Sequence, residues 1–265
     1  MKRISIILPC YNCQNTILDT LNSISNQTYK DFQLIIVNDG STDFSLKKIK
    51  EYCISSDFRC KIIDRENKGF LHSLNEAINN APTDFIARID ADDLWKSEHL
   101  ELIMSEFDND KNLVLIGSQG VLIDAESSVT GRFPKLPESH NDIVKYLHKD
   151  CPFIHSSVIF KRAAYSLAGG YLKGDSQRDV HIADYNLWFE LSKIGKCRNL
   201  AKVTIKYRVL GSSMSRSISL VSNYKARLFT MKKVDNFYNN HKFFSWLSRL
   251  KVQIRIFQHY FRHEE

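Results

Sequence analysis

The sequence predicts an α/β protein: a mainly parallel central sheet, flanking helices and a C-terminal helical tail. Three observations carry that expectation. Short apolar runs alternate with segments of helical periodicity from Ile4 to Ile116. Polar turn clusters follow several of those runs. One run, Phe85 to Ile89, stops abruptly at Asp90-Ala91-Asp92-Asp93.

Taken in order, Ile4 to Leu8 reads as a buried strand ended by Pro9. Ile17, Leu18, Leu21 and Ile24 recur at helical spacing. Phe32 to Val37 is a second buried strand, followed by the turn and capping residues Asn38-Asp39-Gly40-Ser41-Thr42-Asp43. A helix then runs to about Asp57, and Cys60 to Ile63 is a third strand. Asn67-Lys68-Gly69 opens a helix with Leu71, Leu74 and Ile78 on one face. Thr83 to Ile89 is the fourth strand. Further on come a helix from Ser97 to Phe107, a strand from Leu113 to Ile116 and a hairpin over residues 120–135. His155 to Phe160 reads as a strand, and Gly169-Gly170-Tyr171 as a turn. Asp184-Tyr185-Asn186-Leu187-Trp188 opens a helix, and Val203 to Val209 is a late strand. In a parallel sheet, the turns after Leu8, Val37 and Ile89 share one edge, where open α/β sheets bind ligands.

The acidic cluster sets the chemistry. Three bare carboxylates within four residues cannot be buried at a cost that folding can meet, so they require a cation, solvent or both. Mn²⁺ or Mg²⁺ suits them, as hard ions that bridge carboxylates to a substrate phosphate. A charged turn, with Asp92 or Asp93 capping the next helix, is the plain alternative. An EF-hand loop from Asp90 fails at its sixth position, Trp95, where glycine is needed. An aspartyl phosphotransferase also uses Asp-x-Asp, but it wants Thr or Val where Leu94 stands. Neither a G-x-G-x-x-G fingerprint nor a P-loop is present.

Composition narrows the class. With 43% apolar and 25% charged residues, global disorder is excluded. No apolar run approaches the ~20 residues of a membrane span. Lys2 and Arg3 before Ile4 to Leu8 make too short a signal peptide, so the expected location is cytoplasmic. The six cysteines lack zinc-finger spacing and read as reduced packing thiols. The net charge is +7, but residues 206–265 hold +9 and residues 1–205 only −2. A local anionic partner for the C-terminal segment follows.

Together, Leu8-Pro9-Cys10-Tyr11-Asn12, Val37 to Asp43, Asn67-Lys68-Gly69, Ile86 to Asp93, His155-Ser156-Ser157 with Gly169-Gly170-Tyr171, and Asp184 to Trp188 resemble family 2 glycosyltransferases. That is the large inverting group with the GT-A fold, and the resemblance spans residues 3–215. It implies a nucleotide-sugar half over about 1–118, an acceptor half over 119–215 and a basic amphipathic tail over 216–265. Pro9 and Tyr11 would flank the base and ribose. Asp39 would accept from the base, most readily the N3–H of uracil. Asp90 would contact ribose or a metal-bound water, and Asp92 would bind the ion, with Asp90 and Asp93 as the other metal candidates. The resemblance also assigns Asn12, Asn67, Lys68, Gly69, Arg88 and Ala91 to the donor site. His155 and Trp188 would touch acceptor or diphosphate. Asp184 would be the catalytic base. Local alternatives stand beside these: Tyr11 packing on the first helix, Asp39 closing an Asx turn, Asp184 capping its helix. Three departures are visible: Asn38 for the usual Asp, Ala183 for a Glu before the base, and Leu210 where a His usually ends the late strand.

The tail points to the acceptor. A helix from Phe243 places Trp246, Leu247, Leu250, Ile254, Phe257 and Phe261 on one stripe, with Arg249, Lys251, Arg255 and Arg262 outside it. This is the pattern of a helix in a membrane interface. The expected partners are a nucleotide-sugar donor, a glycan or lipid-linked acceptor and, through residues 217–265, the cytoplasmic face of the inner membrane. The same stripe would equally pack on the protein's own core or on a second subunit as a homodimer. Nucleic acid is the rival partner for the basic tail and is not the expected one.

Overall fold

The computed structural model describes residues 2–171, 177–210 and 220–238. Its first half alternates strands and helices: β1 (Ile4–Cys10), α1 (Ile17–Ser25), β2 (Phe32–Asp39), α2 (Ser45–Ser55), β3 (Cys60–Arg65), α3 (Phe70–Asn79) and β4 (Phe85–Arg88). These four strands pair in parallel in the order β3-β2-β1-β4. The second half adds β5 (Leu94–Trp95), α4 (His99–Asn109), β6 (Leu113–Ile123), β7 (Val129–Arg132), α5 (His140–Leu147), β8 (Ile159–Lys161), α6 (Arg162–Leu167), α7 (Gln177–Ile194), β9 (Lys196–Arg208) and α8 (Leu220–Tyr238). The sheet continues from β4 through β8, β6 and β9 to β5, with β7 paired to β6. β8 is antiparallel to both its neighbours, while β6 and β9 run in parallel.

The strand sequences divide the core in two. Ile6 and Leu8 of β1, with Leu34 and Ile36 of β2, face α1, α2 and α4. Ile7, Ile35 and Val37 face the other way, toward α3 and α7. Successive side chains leave a strand on opposite faces, so an uninterrupted apolar run feeds both layers at once. Each fully buried Ile or Leu contributes roughly 1.5–3 kcal/mol.

Several elements depart from the sequence reading, each for a local reason. Pro9 does not end β1, which continues to Cys10 opposite Asn38. The Ile89 N–H donates to the Ile7 carbonyl, so Pro9, two residues on, faces the same side past the end of β4. No ladder bond needs its missing N–H. Leu18 of α1 is 37% exposed, so the buried face is Ile17, Thr20, Leu21 and Ile24. β6 runs through Gly117, because a Cβ there would lie 2.5 Å from Asn199 Oδ1. His155 to Ser157 form a 3₁₀ turn and not a strand. The Ser157 N–H and Oγ both donate to the Ile154 carbonyl, which pulls the backbone off the ladder.

α8 is not a free tail. It packs on α7 with Met231 and Val234 wholly buried in the same core. Arg227 pairs with Asp150, Asp235 with His148, and Lys233 Nζ donates to Asn186 Oδ1. The expected unit of residues 217–265 therefore divides. Its first helix belongs to the folded body, and the stripe from Phe243 to Phe261 lies outside the described residues. No helix among the described residues is long and apolar enough to cross a membrane.

Candidate active site

The carboxyl ends of β1, β2, β3 and β4 deliver their loops to one edge, as parallel pairing requires. After β1, Tyr11 stands 53% exposed. Asn12 braces this loop against the next: its N–H donates to Ser41 Oγ, and its Oδ1 accepts from the Thr42 N–H. Asn12 adopts φ 48°, which Asn tolerates better than most residues.

Asp39 ends β2 almost fully buried. Its Oδ1 accepts from Arg65 and from the Lys68 N–H at 2.8 Å. Arg65, at the end of β3, also reaches Glu76 and Ser73 on α3. Gly40 beside Asp39 has φ 71°, and a Cβ there would lie 2.7 Å from the Asn67 nitrogen. The loop carrying Asn67 and Lys68 is thus packed directly under the Asp39 turn. Asn38, in place of the usual Asp, donates its Nδ2 to Asp64 Oδ1 at 2.8 Å. A second carboxylate there would meet Asp64 with like charge.

The acidic loop follows β4. Asp90, Asp92 and Asp93 each place one carboxylate oxygen within 4.8 Å of the others. Their surroundings differ. Arg88, wholly buried, grips both oxygens of Asp90 and lies over the ring of Phe70. Asp93 is fully buried: Ser156 Oγ donates to one oxygen, and the Arg208 N–H donates to the other at 2.8 Å. Asp92 gives its backbone carbonyl to Arg208 Nε, and its side chain remains half-buried. Burial, then the Asp90 charge, pushes the Asp92 carboxyl up to about 6, while burial, then the Asp92 and Asp90 charges, raises Asp93. The donor set is all hard oxygen, and the repulsion that raises these groups is what a divalent cation relieves. The residues fit Mn²⁺ or Mg²⁺, with Asp92 as the least encumbered ligand.

Asp184 faces this loop from α7. The charges of both Arg88 and Asp90 act on its carboxyl, which burial pushes up to about 6. Its Oδ1 accepts from the Tyr185 N–H, and the Cys151 thiol lies 4.0 Å from Oδ2. Beside it, His155 Nε2 meets the Tyr171 hydroxyl at 2.8 Å, and the ring sits among Phe70, Tyr171 and Trp188. Burial and the Arg88 charge hold this imidazole well below its usual range, so it is neutral.

The family model for glycosyl transferase family 2 matches residues 5–167, more than half of the chain. The chain belongs to glycosyl transferase family 2. A relative in Escherichia coli is the UDP-Glc:alpha-D-GlcNAc-diphosphoundecaprenol beta-1,3-glucosyltransferase WfaP. It is 32% identical over 223 residues, which are 81% of this chain and 80% of WfaP. Among solved structures, S. aureus TarS 1-349 in complex with UDP-GlcNAc superposes with TM-score 0.68 at 18% identity, over 86% of this chain and 65% of that one. The mannosyltransferase PcManGT from Pyrobaculum calidifontis, in complex with GDP-Man and Mn2+, gives TM-score 0.66 at 17% identity, over 88% of this chain and 64% of that one. These two likenesses establish the GT-A fold. The phosphotransferase and nucleic-acid readings have no comparable support.

The geometry of this glycosyltransferase revises several expected roles. Asp184 is not a helix cap: α7 begins at Gln177, so Asp184 lies in its interior. Trp188 is fully buried against Phe153 and Phe160 and meets the His155 ring edge-on. Arg88 is 1% exposed, so it serves the donor site by holding Asp90. Asp93, with both oxygens hydrogen-bonded, also anchors its loop. Ala91 packs in the core, while its carbonyl accepts from Thr16. Pro9 is buried within β1, leaving Tyr11 as the exposed ring.

Three functional residues escaped the sequence reading. Arg65 was legible in principle, since β3 ends on the same edge as β1 and β2. Ser156 lay inside a motif whose role fell to His155. Arg208 stands in the Tyr207-Arg208-Val209-Leu210 stretch at the end of the late strand, where Leu210 is the visible departure. Its guanidinium reaches the carbonyls of Asp92, Asp124 and Ala125, with Ser127 Oγ and Asp19 Oδ2, and so ties β9 to the acidic loop.

Proposed function

We propose that this glycosyltransferase moves a sugar from a uridine diphosphate donor to a hydroxyl of a lipid-linked glycan, inverting the anomeric centre, in bacterial surface-polysaccharide assembly. The observation that carries the reading is the pair of half-buried carboxylates, Asp92 and Asp184, in different settings on one site. Asp92 stands in a cluster of like charge and suits a cation. Asp184 stands outside that cluster, on α7, with a carboxyl pushed upward by burial, which suits a general base.

Asp92, with Asp90 behind it, would hold Mn²⁺ or Mg²⁺; when bound, the ion offsets charge collecting on the departing diphosphate. Tyr11 stacks on the base. Asp39 accepts the base N–H, with Arg65 and Lys68 fixing its orientation. Arg88 holds Asp90 in place through both carboxylate oxygens. Asp184 takes the proton of the acceptor hydroxyl as that oxygen attacks the anomeric carbon opposite the leaving group. One displacement exchanges one bond for another, so an α-linked donor gives a β-linked product. The name of WfaP, with its UDP-glucose donor and diphosphoundecaprenol acceptor, supports the uridine and lipid-linked assignments.

Residues 239–265 bring the enzyme to the cytoplasmic face of the membrane. They carry a net +3 beside the apolar stripe. The test is a thermal-shift panel of nucleotides and nucleotide sugars with and without Mn²⁺, followed by detection of nucleoside diphosphate release. A ligand at 100-fold its Kd raises stability by about 2.7 kcal/mol. Stabilisation by uridine nucleotides that needs the metal is the expected result. Equal response to every nucleotide, or none to any, refutes the donor assignment.

A further inference from the structure

We infer that Cys10 and Cys13 form a site of reversible oxidation, closing a disulfide across the turn that carries Tyr11 and Asn12. The inference builds on the donor reading above, because that turn is the proposed base platform. Cys10 is the last residue of β1 and 2% exposed; Cys13 is half-buried three residues later. Their sulfurs lie 2.7 Å apart. A disulfide is about 2.05 Å long, so closure needs a movement of under about 1 Å and no rearrangement of the strand.

The two thiols differ in a way that suits the chemistry. Cys13 sits at the entry to α1, where its carbonyl accepts from the Thr16 and Ile17 N–H groups at 3.0 Å. Its own N–H donates to Ser45 Oγ at 2.8 Å. The two thiols share a hydrogen bond, and Cys13 is the more exposed of the two. Cys13, half-buried at the entry to α1, is therefore the sulfur that peroxide reaches first, and Cys10 the buried thiol that resolves it. With hydrogen peroxide, the Cys13 sulfur attacks one peroxide oxygen and hydroxide leaves, giving the sulfenic acid. The Cys10 sulfur then attacks the Cys13 sulfur, the S–O bond breaks, and the Cys10 proton departs with the hydroxyl as water. Two electrons pass from the thiols to the peroxide, and a reducing dithiol reverses the change.

The consequence falls on the donor loop. Asn12 joins this turn to Ser41 and Thr42 of the neighbouring loop, and Tyr11 stands exposed between the sulfurs. Shortening the sulfur contact to a bond shifts both. The protein contains its own comparison. Cys53 and Cys60 also share a thiol hydrogen bond, but Cys60 starts β3, at the sheet edge opposite the site. Oxidation there leaves the donor loop untouched.

The test treats the full chain, in a Cys53→Ser background, with hydrogen peroxide, then alkylates, digests and weighs the peptides. The expected product is a Cys10–Cys13 peptide two hydrogen masses light, restored by dithiothreitol and absent in Cys13→Ser. The oxidised chain should bind UDP at least about fivefold more weakly, with recovery on reduction. Two results overturn the inference: Cys10 and Cys13 staying fully alkylatable after Cys53 and Cys60 of the unmutated chain have oxidised, or complete disulfide formation with unchanged UDP affinity. Failure of the reduced chain to bind UDP counts against the donor reading; the peptide masses still decide the thiol site.

Discussion

Replacing Asp184 with Asn separates catalysis from stability, and the two should move in opposite directions. The folded carboxyl has its pKa raised from 3.8 to about 6. Folding therefore favours the protonated form. That contribution is fully present below the unfolded value and is lost as pH rises through the folded one. At neutral pH the ionised group costs at most about 3 kcal/mol from a shift of roughly two units. Partial exposure of Asp184 to the cleft reduces this to about 1–2 kcal/mol. Asn carries no charge and keeps the acceptor for the Tyr185 N–H. Asp184→Asn should then raise the Tm at pH 7 by roughly 2–8 °C and have little effect near pH 4. Transfer should fall at least ~10²-fold, because Asn cannot take the acceptor proton. In the unmodified enzyme, the ionised fraction falls from about 90% at pH 7 to about 10% at pH 5, so kcat should drop about tenfold. The assay pairs UDP release with donor Kd and melting curves across pH. Transfer within about threefold of normal, or a pH-independent change in Tm, would refute the assignment of Asp184 as a buried base.

Asp92→Ala should abolish transfer and remove the Mn²⁺ dependence of nucleotide binding, read by titration calorimetry. Unchanged dependence would place the ion elsewhere. Asp39→Ala should weaken UDP more than pyrophosphate; it also releases Arg65, so Arg65→Lys should reproduce part of the loss. Equal weakening of both ligands would reduce Asp39 to a turn residue. Arg208→Met leaves a row of buried carbonyls unpaired and should lower stability by about 3–5 kcal/mol, measured by chemical denaturation, with a marginal effect contradicting its anchoring role. Removing residues 239–265 should abolish binding to anionic liposomes while a soluble short-chain acceptor is still glycosylated. Loss of a dimer on truncation would instead make the stripe a subunit interface.

What was legible in the sequence follows from the range of the forces involved. β1, β2 and β4 could be read because an apolar run bounded by turn residues is a local signal, and parallel pairing then places their ends on one edge. The same logic brought Tyr11, Asp39 and the acidic loop together before any coordinates. What could not be read depends on partners distant in the chain. Asp90, Asp92 and Asp93 look alike as a tetrapeptide, yet Arg88, Ser156 and Arg208 divide their roles, and Arg208 lies 115 residues beyond Asp93. Asp184 also stood as a candidate cap because the residues before it carry no strong apolar period, yet α7 starts earlier, at Gln177. The basic C-terminal charge is likewise shared out by distant contacts. Arg208, Arg227 and Lys233 count toward +9 in the sequence, but in the fold they bind carbonyls, Asp150 and Asn186. Side chains held in these contacts are less available to a membrane surface, and the Arg227 charge is offset by Asp150. The electrostatic case for a surface partner therefore contracts to residues 239–265, where the charge is smaller and the apolar stripe must carry more of the affinity.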